Sequence, residues 1–196
     1  MNVCDFFSSP IGLGHVTRDI AIVNNLEGIS INFVTGSGAA QILRKLDYKI
    51  DDVYNPPSFI VENGMLNNQT KWLWNYFQYY KNCKKISEKI IKINNSDLII
   101  SDEDFASLTV AQNLKIPNIL ITDVLETKFT KGIASLIERK MNKSMMNIIK
   151  NCDVVITKSI LLQPSIQSFG AIVVSIPAVI PIFILPIGLN SFGTVT

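Results

Sequence analysis

The segment Ser9-Pro10-Ile11-Gly12-Leu13-Gly14-His15-Val16-Thr17-Arg18 joins an apolar run to an amphipathic one and carries His15, the only histidine of the chain. Imidazole is the one side chain whose ordinary pKa lies near neutrality. It is therefore suited to take the proton of a hydroxyl as that oxygen attacks an electrophile. Gly12 and Gly14 suit positive φ or the close approach of a ligand to the backbone, and a helix that starts here offers unpaired N–H groups and a partial positive charge. Asp102 ends the run Leu98-Ile99-Ile100-Ser101. An aspartate bonded to one imidazole nitrogen fixes the tautomer and supports charge on the ring while the other nitrogen accepts a proton. Both residues also have plain structural readings, His15 as a packed helix-start residue and Asp102 as a cap. Glu103 and Asp104 read as helix-start acids, favourable by charge and capping alone. Asp123, after Leu120-Ile121-Thr122, is a candidate for binding polar substrate groups.

These residues need strands and helices to bring them together. Val3 to Ser8 reads as a buried strand and His15 to Leu26 as a helix, with Val16, Ile20, Val23 and Leu26 on one face. Ser30 to Val34 reads as the second strand. The turn Thr35-Gly36-Ser37-Gly38 then leads into a helix from Ala39 to Leu46; it is either a second oxygen-binding turn or a simple bend. Lys49 to Tyr54 is a third strand stopped by Pro56-Pro57. A long helix spans Thr70 to Ile93, its stripe being Trp72, Tyr76, Tyr79, Cys83, Ile86, Ile90 and Ile93. The series continues with strand Asp97 to Ser101, helix Asp102 to Leu114, strand Asn118 to Thr122, a basic helix Lys128 to Lys150 and strand Asp153 to Thr157. Short Ile/Val-rich strands separated by helices predict an α/β, Rossmann-like three-layer domain with a mainly parallel sheet. In the usual doubly wound order the first and fourth strands are neighbours, which sets His15 and Asp102 beside one crevice.

Composition narrows the function classes. The chain has 196 residues, enough for one good core, and its net charge of +2 comes without a zinc-finger spacing or an arginine-rich arm, so nucleic acid is not an expected partner. Cys4, Cys83 and Cys152 are far apart and sit in apolar stretches, the pattern of buried thiols in a reducing, cytoplasmic compartment. With one histidine and no close cysteine pair, a structural metal is not expected. A nicotinamide cofactor does not fit either, because His15 directly follows the second glycine and no acidic residue clearly terminates the Ile31 to Val34 run. No cofactor is expected.

Charged residues make up only 17% of the chain, below the globular norm of roughly 25%. Trp72, Trp74, Tyr76, Phe77, Tyr79 and Tyr80 span more arc than one core stripe needs, so some should face a ligand, a partner or a lipid interface. Lys71 to Lys92 and Lys128 to Lys143 are basic stretches that fit solvated helix faces or anionic lipid. Residues 1–170 form the expected domain. Residues 171–196 read as an apolar, Pro-rich terminal strand followed by an interdomain linker or an interface-seeking tail: Ala171 to Leu189 is apolar except for Ser175, but Pro177, Pro181 and Pro186 interrupt it.

With Gly12-Leu13-Gly14-His15-Val16-Thr17-Arg18, Phe33-Val34-Thr35-Gly36, Leu98-Ile99-Ile100-Ser101-Asp102 and Ile116-Pro117-Asn118-Ile119 taken together, residues 1 to 160 resemble the amino-terminal, acceptor-side domain of two-domain glycosyltransferases of the B fold (GT-B). That group includes the peptidoglycan lipid-linked N-acetylglucosaminyl transferase and its archaeal relatives. The resemblance implies transfer of a hexose-type sugar from a nucleotide sugar to an acceptor hydroxyl with inversion. It implies His15 as general base and Asp102 as its partner, with Gly12, Gly14 and Arg18 on the acceptor side, Arg18 steadying a phosphate of a lipid-linked acceptor. The longer glycine-rich loop of the bacterial enzyme is not reproduced, so its particular acceptor does not carry over. The resemblance also implies that most of the nucleotide sugar is bound by a second domain or a separate subunit, so that these residues alone would be a half-enzyme, peripheral at the inner face of the membrane. The alternative is a noncatalytic acceptor- or partner-binding subunit of a membrane-associated complex.

Overall fold

A computed structural model describes residues 2–11, 13–58, 61–62, 65–66, 68–123, 125, 127–128, 130–157 and 172–175. Seven strands form one sheet: β1 (Asn2–Ser8), β2 (Ile29–Thr35), β3 (Ile50–Asp52), β6 (Leu98–Asp102), β7 (Asn118–Thr122), β8 (Val154–Thr157) and β9 (Ile172–Ser175). Their order is β3-β2-β1-β6-β7-β8-β9, and every neighbouring pair is parallel. A separate antiparallel pair, β4 (Val61–Glu62) and β5 (Met65–Leu66), lies between β3 and β6 in the chain. The helices are α1 (Leu13–Val23), α2 (Ser37–Lys45), α3 (Gln69–Asn94), α4 (Phe105–Leu114) and α5 (Ile133–Lys150).

The chain builds outward from β1 to β3, then returns through α3 to lay β6 against the other side of β1. The order therefore reverses between β1 and β6, and their carboxyl ends border a crevice, where ligands meet open α/β sheets. Register fixes the detail: Ser8 pairs with Asp102, and the Ser9 N–H donates to the Asp102 carbonyl at 3.1 Å.

Strand periodicity sorts the core into two layers. Cys4 and Phe6 of β1 pack with Phe33, Val16, Ile22, Val23, Ala39 and Leu43 on the α1–α2 side, while Phe7 packs with Ile99, Tyr54, Cys83, Ile91 and Val110 on the α3–α4 side. Leu108, Leu120, Ile148, Ile149 and Val155 extend the core under α5. Phe6, Phe7 and Phe33 are fully buried, each contributing about 1.5–3 kcal/mol of transfer free energy. All three cysteines are buried and unpaired, and burial pushes the Cys4 thiol up to about 12. Asp5 is the polar exception inside the sheet. It is fully buried and accepts from Asn32 and Asn94 Nδ2 at 3.0 and 2.8 Å, joining β1 to β2 and to the end of α3.

Several sequence expectations shift. The expected α3 stripe advances 3.5 residues per turn, whereas a straight helix advances 3.6, so the stripe drifts about 20° per heptad. By the last turns Ser87 and Ile91 face inward and Ile93 is 65% exposed. Asp102 belongs to β6 and not to the helix that follows; α4 begins at Phe105, capped by Asp104, whose carboxylate accepts from the N–H groups of Ala106 and Ser107. The basic helix begins at Ile133, five residues later than Lys128. The terminal strand expected at the start of residues 171–196 is β9, paired with β8. The rest of the expected apolar tail lies outside the described residues, and among the described residues no helix is long and apolar enough to cross a membrane.

Candidate active site

The crevice between β1 and β6 is occupied by the first turns of α1. His15 and Arg18, three residues apart, share a face of that helix, and both reach Asp102 at the end of β6. His15 Nδ1 is 3.0 Å from Asp102 Oδ1. Arg18 grips the same carboxylate from the side, Nε to Oδ2 at 3.1 Å and Nη2 to Oδ1 at 2.6 Å, and extends Nη1 to Asp123 Oδ2 at 2.8 Å. Asp102 is fully buried, whereas Arg18 and His15 keep a quarter and a fifth of their side chains exposed.

Nδ1 lies 3.0 Å from Asp102 Oδ1 and 3.3 Å from Arg18 Nη2, a nitrogen already bound to the same carboxylate oxygen at 2.6 Å. The carboxylate is the nearer group to Nδ1 and can only accept, which favours the tautomer in which Nδ1 carries the hydrogen and donates it to Asp102. Nε2 is then the basic atom. It lies on the side of Glu103, whose Oε2 is 3.7 Å away. The hydrogen bond to Asp102 raises the His15 pKa above its ordinary value against the opposing effect of burial, with the charges of Asp102 and Glu103 in support. Burial alone would push Asp102 up, but hydrogen bonds from His15, Asp19 and Arg18 outweigh it and hold the carboxyl below the ordinary range.

Glu103 takes a left-handed backbone conformation, φ 57°, between the end of β6 and the Asp104 cap. That bend turns its side chain back over the sheet edge, where Oε1 accepts from the Asp123 N–H at 3.0 Å and from Thr122 Oγ1 at 3.4 Å. Glu103 is thus a site residue and not the cap its sequence position suggested. The cap is Asp104 alone.

His15 and Glu103 open onto a cleft of about 370 Å³. Its walls are mostly apolar: Trp72, Leu73, Tyr76, Phe77 and Tyr80 from α3, Phe105 from α4, and Met141, Met145 and Ile148 from α5, with Ile11 at the turn. Trp72 and Tyr76 stack with centroids 4.9 Å apart. Polar groups are few, among them Thr127, Thr130, Asn142 and the buried Glu138, which accepts from Thr130 Oγ1 at 2.6 Å. The surplus aromatic arc of α3 is therefore cleft wall. Among the described residues, no cluster of His, Cys, Asp and Glu is arranged to hold a metal ion.

Neither a protein-family profile nor a curated protein matches the sequence. Solved structures do match the fold. The glycosyltransferase SnogD from Streptomyces nogalater superposes with a TM-score of 0.57 at 16% identity, over 95% of this chain and 55% of that one. MurG of Acinetobacter baumannii gives 0.50 at 12% identity, over 80% of this chain and 41% of MurG. A Listeria monocytogenes protein assigned as a UDP-N-acetylglucosamine 2-epimerase gives 0.52 at 14% identity, over 81% and 38%.

The fold is that of a GT-B glycosyltransferase domain. The chain spans roughly half or less of the length of these three proteins. Within this GT-B domain His15 and Asp102 come together as expected, and Arg18 and Asp123 join them as an ion pair. Arg18 therefore spends much of its fork on Asp102 and Asp123, where the resemblance had implied a free phosphate contact. Gly14 is the second residue of α1, and a Cβ there would meet nothing within 4 Å, so packing does not demand this glycine. Gly12 lies outside the described residues. Gly36 serves packing, because a Cβ there would collide with the Tyr54 carbonyl oxygen.

Two site residues escaped the sequence reading. Asp19 follows His15 by four positions, the spacing of one helical face, and that was the available signal. Glu103 offered none, since glutamate does not announce a left-handed turn.

Proposed function

We propose that this chain is the acceptor-side domain of an inverting glycosyltransferase that moves a hexose-type sugar from a nucleotide sugar to the hydroxyl of an acceptor with an apolar portion. The observation that carries the reading is the orientation of His15: Nδ1 is held by Asp102 at 3.0 Å, and the ring lines an apolar cleft large enough for part of a small amphipathic molecule. An acceptor seated there gives its hydroxyl proton to Nε2 while the oxygen attacks the anomeric carbon. The bond from that carbon to the donor phosphate breaks, and the nucleoside diphosphate leaves with the electron pair. Asp102 stabilises the imidazolium that forms. The donor is held by a domain or subunit beyond these residues.

The test is His15→Ala assayed with the donor-binding partner present. Loss of about 10²- to 10⁴-fold in rate is the expected result for a missing general base; near-normal turnover would sink the assignment. One observation favours the alternative of a binding-only subunit: carboxylates lie near both ring nitrogens and bias His15 toward the cationic form. Acceptor binding that survives every reconstitution without transfer would decide for that reading.

The acceptor we favour is lipid-linked. Ile11 and Phe77 line the cleft and are 43% and 44% exposed; Trp74, 63% exposed, packs against Phe77, over which Lys81 Nζ sits at 4.7 Å. An apolar rim carrying a cation suits the headgroup region of an anionic bilayer. Flotation with phosphatidylglycerol-containing vesicles, lost in Trp74→Asp/Phe77→Asp, is expected. Equal flotation of the variant would remove this rim from the proposal.

A further inference from the structure

Beneath the His15–Asp102 pair lies a second carboxyl that the proposed reaction does not use. Asp19 of α1 is fully buried, as is Asp102. Ser8 Oγ donates a hydrogen bond to Asp19 Oδ2, and Ser8 is the residue of β1 paired with Asp102 of β6; the Asp19 and Asp102 carboxyls each act on the other's protonation. Asp19 Oδ1 is buried and receives no donor. Among the described residues no cationic side chain stands within ion-pair distance of Asp19, because the Arg18 fork is turned to Asp102 and Asp123.

A fully buried carboxylate with one hydroxyl donor, an orphan oxygen and an anionic neighbour is an expensive arrangement. A proton removes the difficulty. Shared between the two acids, it makes one a neutral donor and leaves the other a carboxylate, and the site decides which: Asp102 has the guanidinium and the imidazole, Asp19 has neither.

We propose that Asp19 is a neutral carboxylic acid that donates its O–H to Asp102, a positioning residue that sets how strongly Asp102 holds His15. The inference concerns the same site as the transferase reading, and its readouts need no sugar transfer. Burial, with the Asp102 charge adding to it, pushes the Asp19 carboxyl up to about 9. By drawing charge from Asp102, the Asp19 donor moderates the His15 pKa. The charged groups facing this cluster are Arg18 from α1, Asp102 and Glu103 from the end of β6, and Asp123 from the end of β7.

Because His15 is the only histidine, its Cε1–H resonance reports one pKa without assignment. The experiment titrates that resonance in the wild-type chain, in Asp19→Asn and in Asp19→Leu. Asn keeps an N–H donor toward Asp102 and carries no charge, so the His15 pKa is expected to stay within about 0.3 of wild type, whereas Leu removes the donor and raises it by about 0.5 to 1. A fall of about 1 in Asp19→Asn is the mark of a lost negative charge and would overturn the proposal; an unchanged pKa in Asp19→Leu would overturn the positioning role. Should Asp19→Leu not fold, infrared difference spectra at pH 7 decide. The C=O stretch of a protonated carboxyl is expected in wild type and absent in Asp19→Asn, and a spectrum without that loss refutes the neutral acid. A failed transferase assay leaves each of these readouts intact.

Discussion

Glu103 Oε2 stands 3.7 Å from Nε2 of His15, on the side of the ring opposite its bond to Asp102. The gap is too long for a direct hydrogen bond and short enough for Coulomb attraction, so the carboxylate favours the imidazolium without tying up the nitrogen. A hydroxyl entering the cleft meets both groups at once.

Glu103→Gln is therefore expected to lower the His15 pKa by about 0.5 to 1, since it removes a negative charge that stabilises the cation. The base form would then persist to lower pH, and the acid limb of the rate profile would move the same way. A proton NMR titration of His15 checks the pKa, and a pH–rate profile of the proposed transfer checks the limb. An unmoved titration would mean that Glu103 acts only as a backbone support for Asp123.

Stability should depend on pH with a sign set by the same cluster. Asp19 has its pKa raised to about 9 in the folded chain, above an ordinary unfolded value of about 3.9, so the native state holds the extra proton between these limits and stability declines as pH rises through them. His15, also raised, adds stability that is complete below its unfolded pKa and is lost as pH climbs through the folded one. Asp102 is lowered and works in the opposite direction: its contribution is present above the ordinary carboxylate range and is lost only as pH falls through its folded value. Urea melts across the neutral and alkaline range should show the decline in wild type and a flatter line in Asp19→Asn. Parallel lines would place the slope elsewhere.

Arg18 and Asp123 form one ion pair but should not cost the same to remove. Arg18→Ala strands the fully buried Asp102; a wholly buried pair loses about 3–5 kcal/mol, and the quarter exposure of Arg18 brings the expectation to about 2 kcal/mol. Asp123 is 36% exposed, so Asp123→Ala should cost about 1 kcal/mol or less. Denaturant midpoints of the two variants give the comparison, and an equal loss would contradict the burial argument.

The winding of α3 is testable at two isoleucines. Ile93→Lys, at a position 65% exposed, should change stability by less than about 0.5 kcal/mol. Ile91→Lys places a charge at a site 1% exposed, in the Phe7 layer, and should prevent folding or cost more than about 4 kcal/mol. Equal tolerance at the two positions would reverse the assigned face.

The sequence carried the meeting of His15 and Asp102 because parallel strands deliver their carboxyl ends to one edge, and strand order follows from the βαβ pattern. Residue periodicity also located every strand of the main sheet to within two or three residues. It failed where geometry departs from period. The stripe ending at Ile93 assumed a 3.5-residue repeat that a single straight helix does not keep. The antiparallel pair Val61–Glu62 and Met65–Leu66 went unread because two-residue strands are too short to show alternation. Glu103 was hidden by a backbone angle that its side chain does not encode, and Asp19 by a proton that no residue name displays.

Gly36 has an extended backbone, φ −170°, that any residue could adopt, so its requirement is one of clearance: a methyl group there would overlap the Tyr54 carbonyl oxygen. Tyr54 is not a passive neighbour. Its hydroxyl donates to Asp104 Oδ2 at 2.9 Å and lies 2.8 Å from Ser87 Oγ, and Asp104 adjoins Glu103. The turn after β2 is in this way linked, through a tyrosine of the Phe7 layer, to the neighbour in sequence of the acid that faces His15. A side chain at residue 36 would therefore be felt at the Asp104 cap, by displacement of Tyr54, in a protein whose cleft lining reads as unchanged.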